Sequence, residues 1–128
     1  LPTPKFLSLD EVLELHADQI SSFGGTPGVR DEGLLESALA QPQATFGGQF
    51  LHPTISEQAA AYLYHIAMNH PFIDGNKRTA FAVMDTFLRL NGCALNLTDD
   101  RAYDLVMRVA RGTMTKEELS AEFESCIV

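Results

Sequence analysis

From Ala59 to Met68 the chain is apolar almost all round a helical wheel, interrupted only by Tyr62, Tyr64 and His65. A helix with no polar face has to be enclosed by other elements, so this stretch predicts the centre of a bundle, opened by a cap at Ser56. A second run, Ala80, Phe81, Val83, Met84, Phe87, Leu88 and Leu90, keeps helical spacing up to a stop at Asn91-Gly92. These two helices form the expected core. Around them the sequence is punctuated by caps and breakers. Ser8 opens a helix with Leu9, Val12, Leu13, His16 and Ile20 on one stripe, which ends before the breaker loop Gly24-Gly25-Thr26-Pro27-Gly28. Asp31 opens a short helix to about Leu39, stopped by Pro42. A helix from Asp99 or Asp100 to Arg111 ends at Gly112, and Thr115 with Glu118 is a capping-box pattern for a last helix to about Ser125. Ala94 to Leu97 alternates weakly, as a short extended piece does. The reading is all-α: a compact bundle of about six helices with no sheet, in one domain spanning 1–128, a length that suits a single core.

Composition narrows the function. Hydrophobic residues at 45% and charged residues at 20% fit a globular chain and exclude a disordered or fibrous one. A net charge of -8 repels polyphosphate and anionic lipid over most of the surface, so direct nucleic-acid binding and membrane binding are not expected. Yet six of the nine Lys and Arg lie between Lys77 and Arg111, which leaves room for a local anion site. Cys93 and Cys126 show no metal or disulfide spacing, and reduced thiols in a cytoplasmic protein are the expectation.

The loop between the two central helices concentrates the chemistry. His70-Pro71-Phe72-Ile73-Asp74-Gly75-Asn76-Lys77-Arg78-Thr79 sets an imidazole, a carboxylate, a glycine, an amide and two cations in one turn. Taken singly, His at a helix end reads as a cap, Asp-Gly as a turn and Lys-Arg as a solvated pair. Taken together they point to function, because cations at a helix start oppose the helix dipole unless an anion visits. A helix beginning near Asn76 presents free N–H groups to such an anion. Gly75 supplies the positive φ that a backbone nest needs, and Asn76, Lys77 and Arg78 add side-chain donors suited to a di- or triphosphate. Asp74 stands where its oxygens could hold Mg²⁺, an ion that takes one or two carboxylates together with substrate phosphates. The imidazole of His70 is the base that could take a proton from an attacking hydroxyl near neutral pH. Phe72 and Ile73 are expected to plug the loop into the core. These residues describe nucleotide-dependent group transfer to a protein hydroxyl. Phe46 to Pro53, glycine-hinged at Gly47 and Gly48 and carrying Phe46 and Phe50, reads equally as a packed loop or a mobile flap.

The run His70 to Arg78 resembles the signature of the Fic/Doc superfamily, His-x-Phe-x-Asp/Glu-Gly/Ala-Asn-Gly/Lys-Arg. Lys77 and Thr79-Ala80 resemble its Doc branch, the death-on-curing toxins. Gly24 to Gly28, Arg30-Asp31 with Gly33 to Glu36, and Pro42-Gln43 also resemble segments of that branch, so the likeness spans about Ser8 to Gly92.

The resemblance implies a general base at His70, a core anchor at Phe72, a Mg²⁺ ligand at Asp74, anion-hole elements at Gly75 and Asn76, and phosphate contacts at Lys77 and Arg78. It also implies that Phe46, Gly47, Gly48 and Phe50 belong to a flap that aligns the target. Fic enzymes transfer AMP from ATP and have Gly where this chain has Lys77, and a second Arg where it has Phe81. In the Doc branch that change goes with transfer of the γ-phosphate of ATP to a threonine of elongation factor Tu, which stops translation. The implied protein is a toxin, ATP- and Mg²⁺-dependent, restrained by a Phd-like antitoxin whose helical segment lies in a groove. The inhibitory pattern Ser/Thr-x-x-x-Glu-Gly/Asn of some Fic proteins is missed here, since Ser125 follows Glu124. AMP transfer and a catalytically idle antitoxin-binding module are the competing readings.

Overall fold

The computed structural model describes residues 3–128. Six α-helices, α1 Leu9–Phe23, α2 Glu32–Ala40, α3 Ile55–Asn69, α4 Asn76–Leu90, α5 Asp99–Ala110 and α6 Lys116–Cys126, are joined by short connections. α3 is the axis of the bundle and packs against α4, α6, α2 and α5. Its side chains from Ala59 to Leu63, with Ile66 and Ala67, are fully enclosed. Three consecutive alanines, Ala59 to Ala61, let the neighbouring helices approach closely, while Tyr62, Leu63 and Ile66 fill the space between them. Each of the larger side chains contributes roughly 1.5–3 kcal/mol by leaving water. From α4, Val83, Met84, Phe87 and Leu88 meet them, and Tyr62 packs on Phe87 with ring centroids 5.0 Å apart. The Tyr62 hydroxyl accepts from the Leu7 N–H at 3.0 Å, and burial pushes its pKa up to about 12.

Helix starts follow the caps. Ser8 and Thr115 form full capping boxes with Glu11 and Glu118, and Asp31 accepts from the Leu34 N–H. The start of α3 differs from the sequence expectation. Thr54 is the cap, accepting from the Glu57 N–H, and Ser56 lies inside the helix with its hydroxyl donating to Glu124 of α6. α5 begins after the cap Thr98.

The segment expected to be loop holds a small sheet. β1 Thr45–Phe46 and β2 Gln49–Phe50 pair antiparallel across Gly47 and Gly48, whose φ values of +60° and +79° are the positive pair that a two-residue hairpin turn of the right twist demands. The all-α class stands, with this hairpin as its single named sheet among the described residues. Leu95 forms an isolated antiparallel bridge with Ile127, and Ala94 and Val128 exchange both main-chain hydrogen bonds, which pins the chain end to the connection between α4 and α5. No helix among the described residues is long and apolar enough to cross a membrane.

Candidate active site

The turn from His70 to Gly75 joins the C-terminus of α3 to the N-terminus of α4. α3 stops because Pro71 disfavours the helical region for the residue before it. His70 closes the helix at φ 48°, ψ 55°, with its N–H donating to the Ile66 carbonyl at 3.3 Å. It is the single non-glycine residue with positive φ among the described residues, a conformation costing about 1–2 kcal/mol for a residue with a Cβ. Its side chain is exposed.

Beyond His70 the main chain of the turn is stitched to a second segment. Arg30 and Asp31 donate their N–H groups to the Pro71 carbonyl at 2.7 and 3.0 Å, Ile73 donates to the Gly28 carbonyl at 3.1 Å, and Val29 bridges Phe72 in antiparallel sense. This extended stretch sends successive side chains to opposite sides. Phe72 is fully buried, as expected of the anchor, whereas Ile73 is 54% exposed. The expectation that both plug the core is therefore corrected to Phe72 alone.

Asn76 holds the turn closed. Its Oδ1 accepts from the Phe72 N–H and its Nδ2 donates to the Phe72 carbonyl, both at 2.9 Å. The sequence pattern places this amide among the donors for an anion. The structure commits it instead to the peptide of Phe72 and leaves only the main-chain N–H of Asn76 facing outward from the helix start.

Asp74 is exposed and anionic. Oδ2 accepts from the Thr26 N–H at 3.0 Å and Oδ1 from the Gly75 N–H at 2.8 Å, and these two bonds, in that order, hold its carboxyl below the ordinary carboxylate range, with Arg78 and His16 adding smaller electrostatic help. Each oxygen keeps a further lone pair. That geometry fits a hard cation taking one carboxylate beside phosphate oxygens.

Gly75 caps α4 in the left-handed region, φ 74°, as the nest requires. α4 has no side-chain cap and no acid in its first turn, which instead carries Lys77 and Arg78. Lys77 is exposed and makes no ion pair or hydrogen bond among the described residues. Arg78 is half-committed: one terminal nitrogen donates to the Gly24 carbonyl at 2.8 Å and the guanidinium lies 5.8 Å from the Phe23 ring centre. The remaining N–H groups of the fork are free for an anion.

The turn thus gathers His70, Phe72, Asp74, Gly75, Asn76, Lys77 and Arg78. Its hydrogen bonds run to α1 and to the segment from Gly24 to Asp31, with none to the hairpin among the described residues. Phe46 at the hairpin tip is 81% exposed, and Phe50 packs edge-on against Phe6, centroids 5.7 Å apart. Gln58 of α3 donates to the His52 carbonyl at 2.8 Å and fixes the chain leaving the hairpin. A cavity of about 670 Å³ lies between this exit and α6, lined by Leu51, His52, Thr54, Glu57, Lys116 and Glu124 among others. It contains no residue of the turn, and the helix start beside it is already capped by Thr54, so the chemistry points to the uncapped end of α4.

Three contributors were not apparent as site residues. His16, placed by periodicity on an apolar stripe, is buried with its ring stacked on Phe72 and its Nε2 2.8 Å from the Asp74 carbonyl oxygen. Thr26 holds Asp74 through its N–H, and Arg30 binds the end of α3. A histidine on an otherwise apolar face and the family-like segments holding Thr26 and Arg30 are the available signals; the contacts these residues make with the turn are set by long-range folding.

Comparison with known proteins agrees with this geometry. The family model described as Fic/DOC family matches residues 6–88. The chain is 46% identical over 103 residues to Toxin Doc of Mycolicibacterium smegmatis, covering 79% of each chain. It is 34% identical over 111 residues to Protein kinase doc of Escherichia phage P1, covering 87% of this chain and 86% of that one. The family match spans the turn and the uncapped helix start, and the chain belongs to the Fic/DOC family, on its Doc branch.

Proposed function

We propose that this chain is the toxin of a toxin–antitoxin pair, acting in the cytoplasm as a protein phosphotransferase that moves the γ-phosphate of ATP to a hydroxyl, with a threonine of elongation factor Tu as the acceptor. The observation that carries the reading is the pairing of an exposed imidazole at the end of α3 with an uncapped, cation-bearing start of α4 across one six-residue turn. The relatives' names, Toxin Doc and Protein kinase doc, support the same reading.

His70 takes the proton from the acceptor hydroxyl as that oxygen bonds to phosphorus and the bond from phosphorus to the bridging oxygen breaks, releasing ADP. The N–H groups at the start of α4, Lys77 and the free part of the Arg78 fork hold phosphate oxygens and take up the charge that develops on them. Asp74 is the residue that would hold Mg²⁺, which when bound neutralises phosphate charge. Phe81 is packed against the core, so the position at which the AMP-transferring relatives carry a second Arg offers no phosphate contact here. The exposed Phe46 at the hairpin tip is the residue that would meet the target protein, and a Phd-like antitoxin would restrain the toxin through a helical segment.

Intact-mass analysis of elongation factor Tu after incubation with the protein, ATP and Mg²⁺ is expected to show the gain of one phosphate. Label from the γ position should transfer. Transfer of α-label instead would establish AMP transfer, and unchanged toxicity of the His70→Ala variant would establish a binding module without catalysis.

A further inference from the structure

The guanidinium of Arg30 reaches from the connection between α1 and α2 to the end of α3. Its Nε donates to the His70 carbonyl at 2.7 Å and its terminal nitrogen to the Asn69 carbonyl at 2.9 Å. These are the carbonyls of the last residue of α3 and of its cap, which by geometry have no partner within the helix. α3 has no basic residue of its own in its last turn, so the cation that favours a helix C-terminus arrives from 39 and 40 residues away in sequence. The carbonyl it grips with the shorter bond belongs to the one non-glycine residue held at positive φ among the described residues. Two separate observations, a bidentate fork and a strained backbone, meet at His70. Strain of this kind persists only where the surroundings over-determine it.

We infer that Arg30 is a positioning residue for His70: its planar fork fixes the left-handed backbone that aims the imidazole. The inference rests on His70 being the base of the proposed reaction. The fork geometry matters beyond the charge, because its donors are held in one plane at fixed spacing, whereas an ammonium on a flexible stem loses more freedom in reaching both carbonyls. The main-chain bonds from Arg30 and Asp31 to Pro71 do not depend on the side chain, so a side-chain substitution isolates the fork.

The test compares Arg30→Gln and Arg30→Lys with the parent chain, using γ-labelled ATP and elongation factor Tu, alongside NMR of the free protein. Arg30→Gln is expected to lower kcat about 10- to 100-fold, the usual consequence of a misplaced catalytic group, with KM for ATP within twofold. Arg30→Lys, which keeps charge without the fork, should fall between. In NMR spectra of the free Arg30→Gln variant, the strong intraresidue HN–Hα contact that marks positive φ at residue 70 should weaken. Should Arg30→Gln fail to fold, Arg30→Lys decides by the same two readouts. An unchanged kcat in a chain where His70→Ala abolishes transfer overturns the inference, as does an unchanged contact at residue 70 or a proportionate change in kcat and KM. Parental turnover by His70→Ala sinks the base assignment instead, and the NMR arm still reports whether Arg30 sets the backbone of His70.

Discussion

The imidazole of His16 lies face to face with the ring of Phe72, centroids 3.9 Å apart and planes 5° from parallel, while its Nε2 approaches the Asp74 carbonyl oxygen at 2.8 Å. One buried side chain of α1 therefore supports both the anchor and the carboxylate residue of the turn. His16→Phe keeps the stack and removes the polar contact. It is expected to cost about 1 kcal/mol in urea denaturation, whereas His16→Ala, which also empties the space beneath Phe72, should cost roughly 2–4 kcal/mol.

Asn76→Ala should be destabilising for a different reason. It leaves the N–H and the carbonyl of the buried Phe72 without their partners, a loss of about 2–4 kcal/mol for two such groups. Thermal melting measures it, and phosphate transfer is expected to fall with it, since the turn loses its closure.

Gly24 and Gly25 make a paired comparison. A Cβ on Gly25 would stand 2.7 Å from Asp74 Oδ2 at a φ of +122°, while a Cβ on Gly24, at φ +83°, meets nothing within 4 Å. Gly24→Ala should carry only the conformational penalty of a backbone at ψ 170°, about 1–3 kcal/mol. Gly25→Ala should in addition push the Asp74 carboxylate away from the Thr26 N–H, which the Mg²⁺ dependence of transfer by the two variants would register as a larger requirement in Gly25→Ala.

Acid sensitivity is expected from a group outside the turn. Burial first, then the nearby charge of Lys116 and a smaller contribution from His52, lower the pKa of His65 from its ordinary 6.5 to about 4. Its Nε2 lies 3.2 Å from the Lys116 ammonium, a contact that requires the neutral ring as acceptor. Between pH 6.5 and 4 the unfolded chain binds a proton that the folded chain refuses, so stability is full above 6.5 and falls as the pH drops through this window. Discounted for the partial exposure of the ring, the loss is about 1–2 kcal/mol. Urea midpoints measured at neutral pH and near the lower end of that window should differ accordingly, and less so in His65→Gln.

Phe46→Ser is expected to change stability by less than about 0.5 kcal/mol, as for other exposed positions, because the ring is 81% exposed. If the hairpin tip meets the target, labelling of the protein acceptor should fall while ATP binding, followed by calorimetry, stays as in the parent chain.

How much of the fold and the site is readable from the sequence depends on the range of the interaction. Ser8, Asp31 and Thr115 announce their helices because a cap acts three residues away. The residues proposed as base, metal ligand and anion-binding helix start stand out for the same reason: His70 to Arg78 is one continuous run. Ser56 misleads because its hydroxyl serves Glu124, 68 residues on, leaving the cap to Thr54. Two-residue strands are too short to show alternation, so the hairpin is visible only as Gly47-Gly48. The partners of Asn76 lie within reach in sequence, but nothing in the pattern says whether its amide would face an anion or the peptide of Phe72.

The union between the turn and the stretch from Gly28 to Asp31 is made largely of peptide atoms: the Pro71 carbonyl with two N–H groups, and Ile73 with Gly28. A bond of this sort is indifferent to the identity of the residue supplying it, provided that residue is not proline. Mutational drift at Val29 or Ile73 would leave the register intact. Two descendants could thus differ at Val29 and Ile73 and still inherit the same main-chain register beside the histidine.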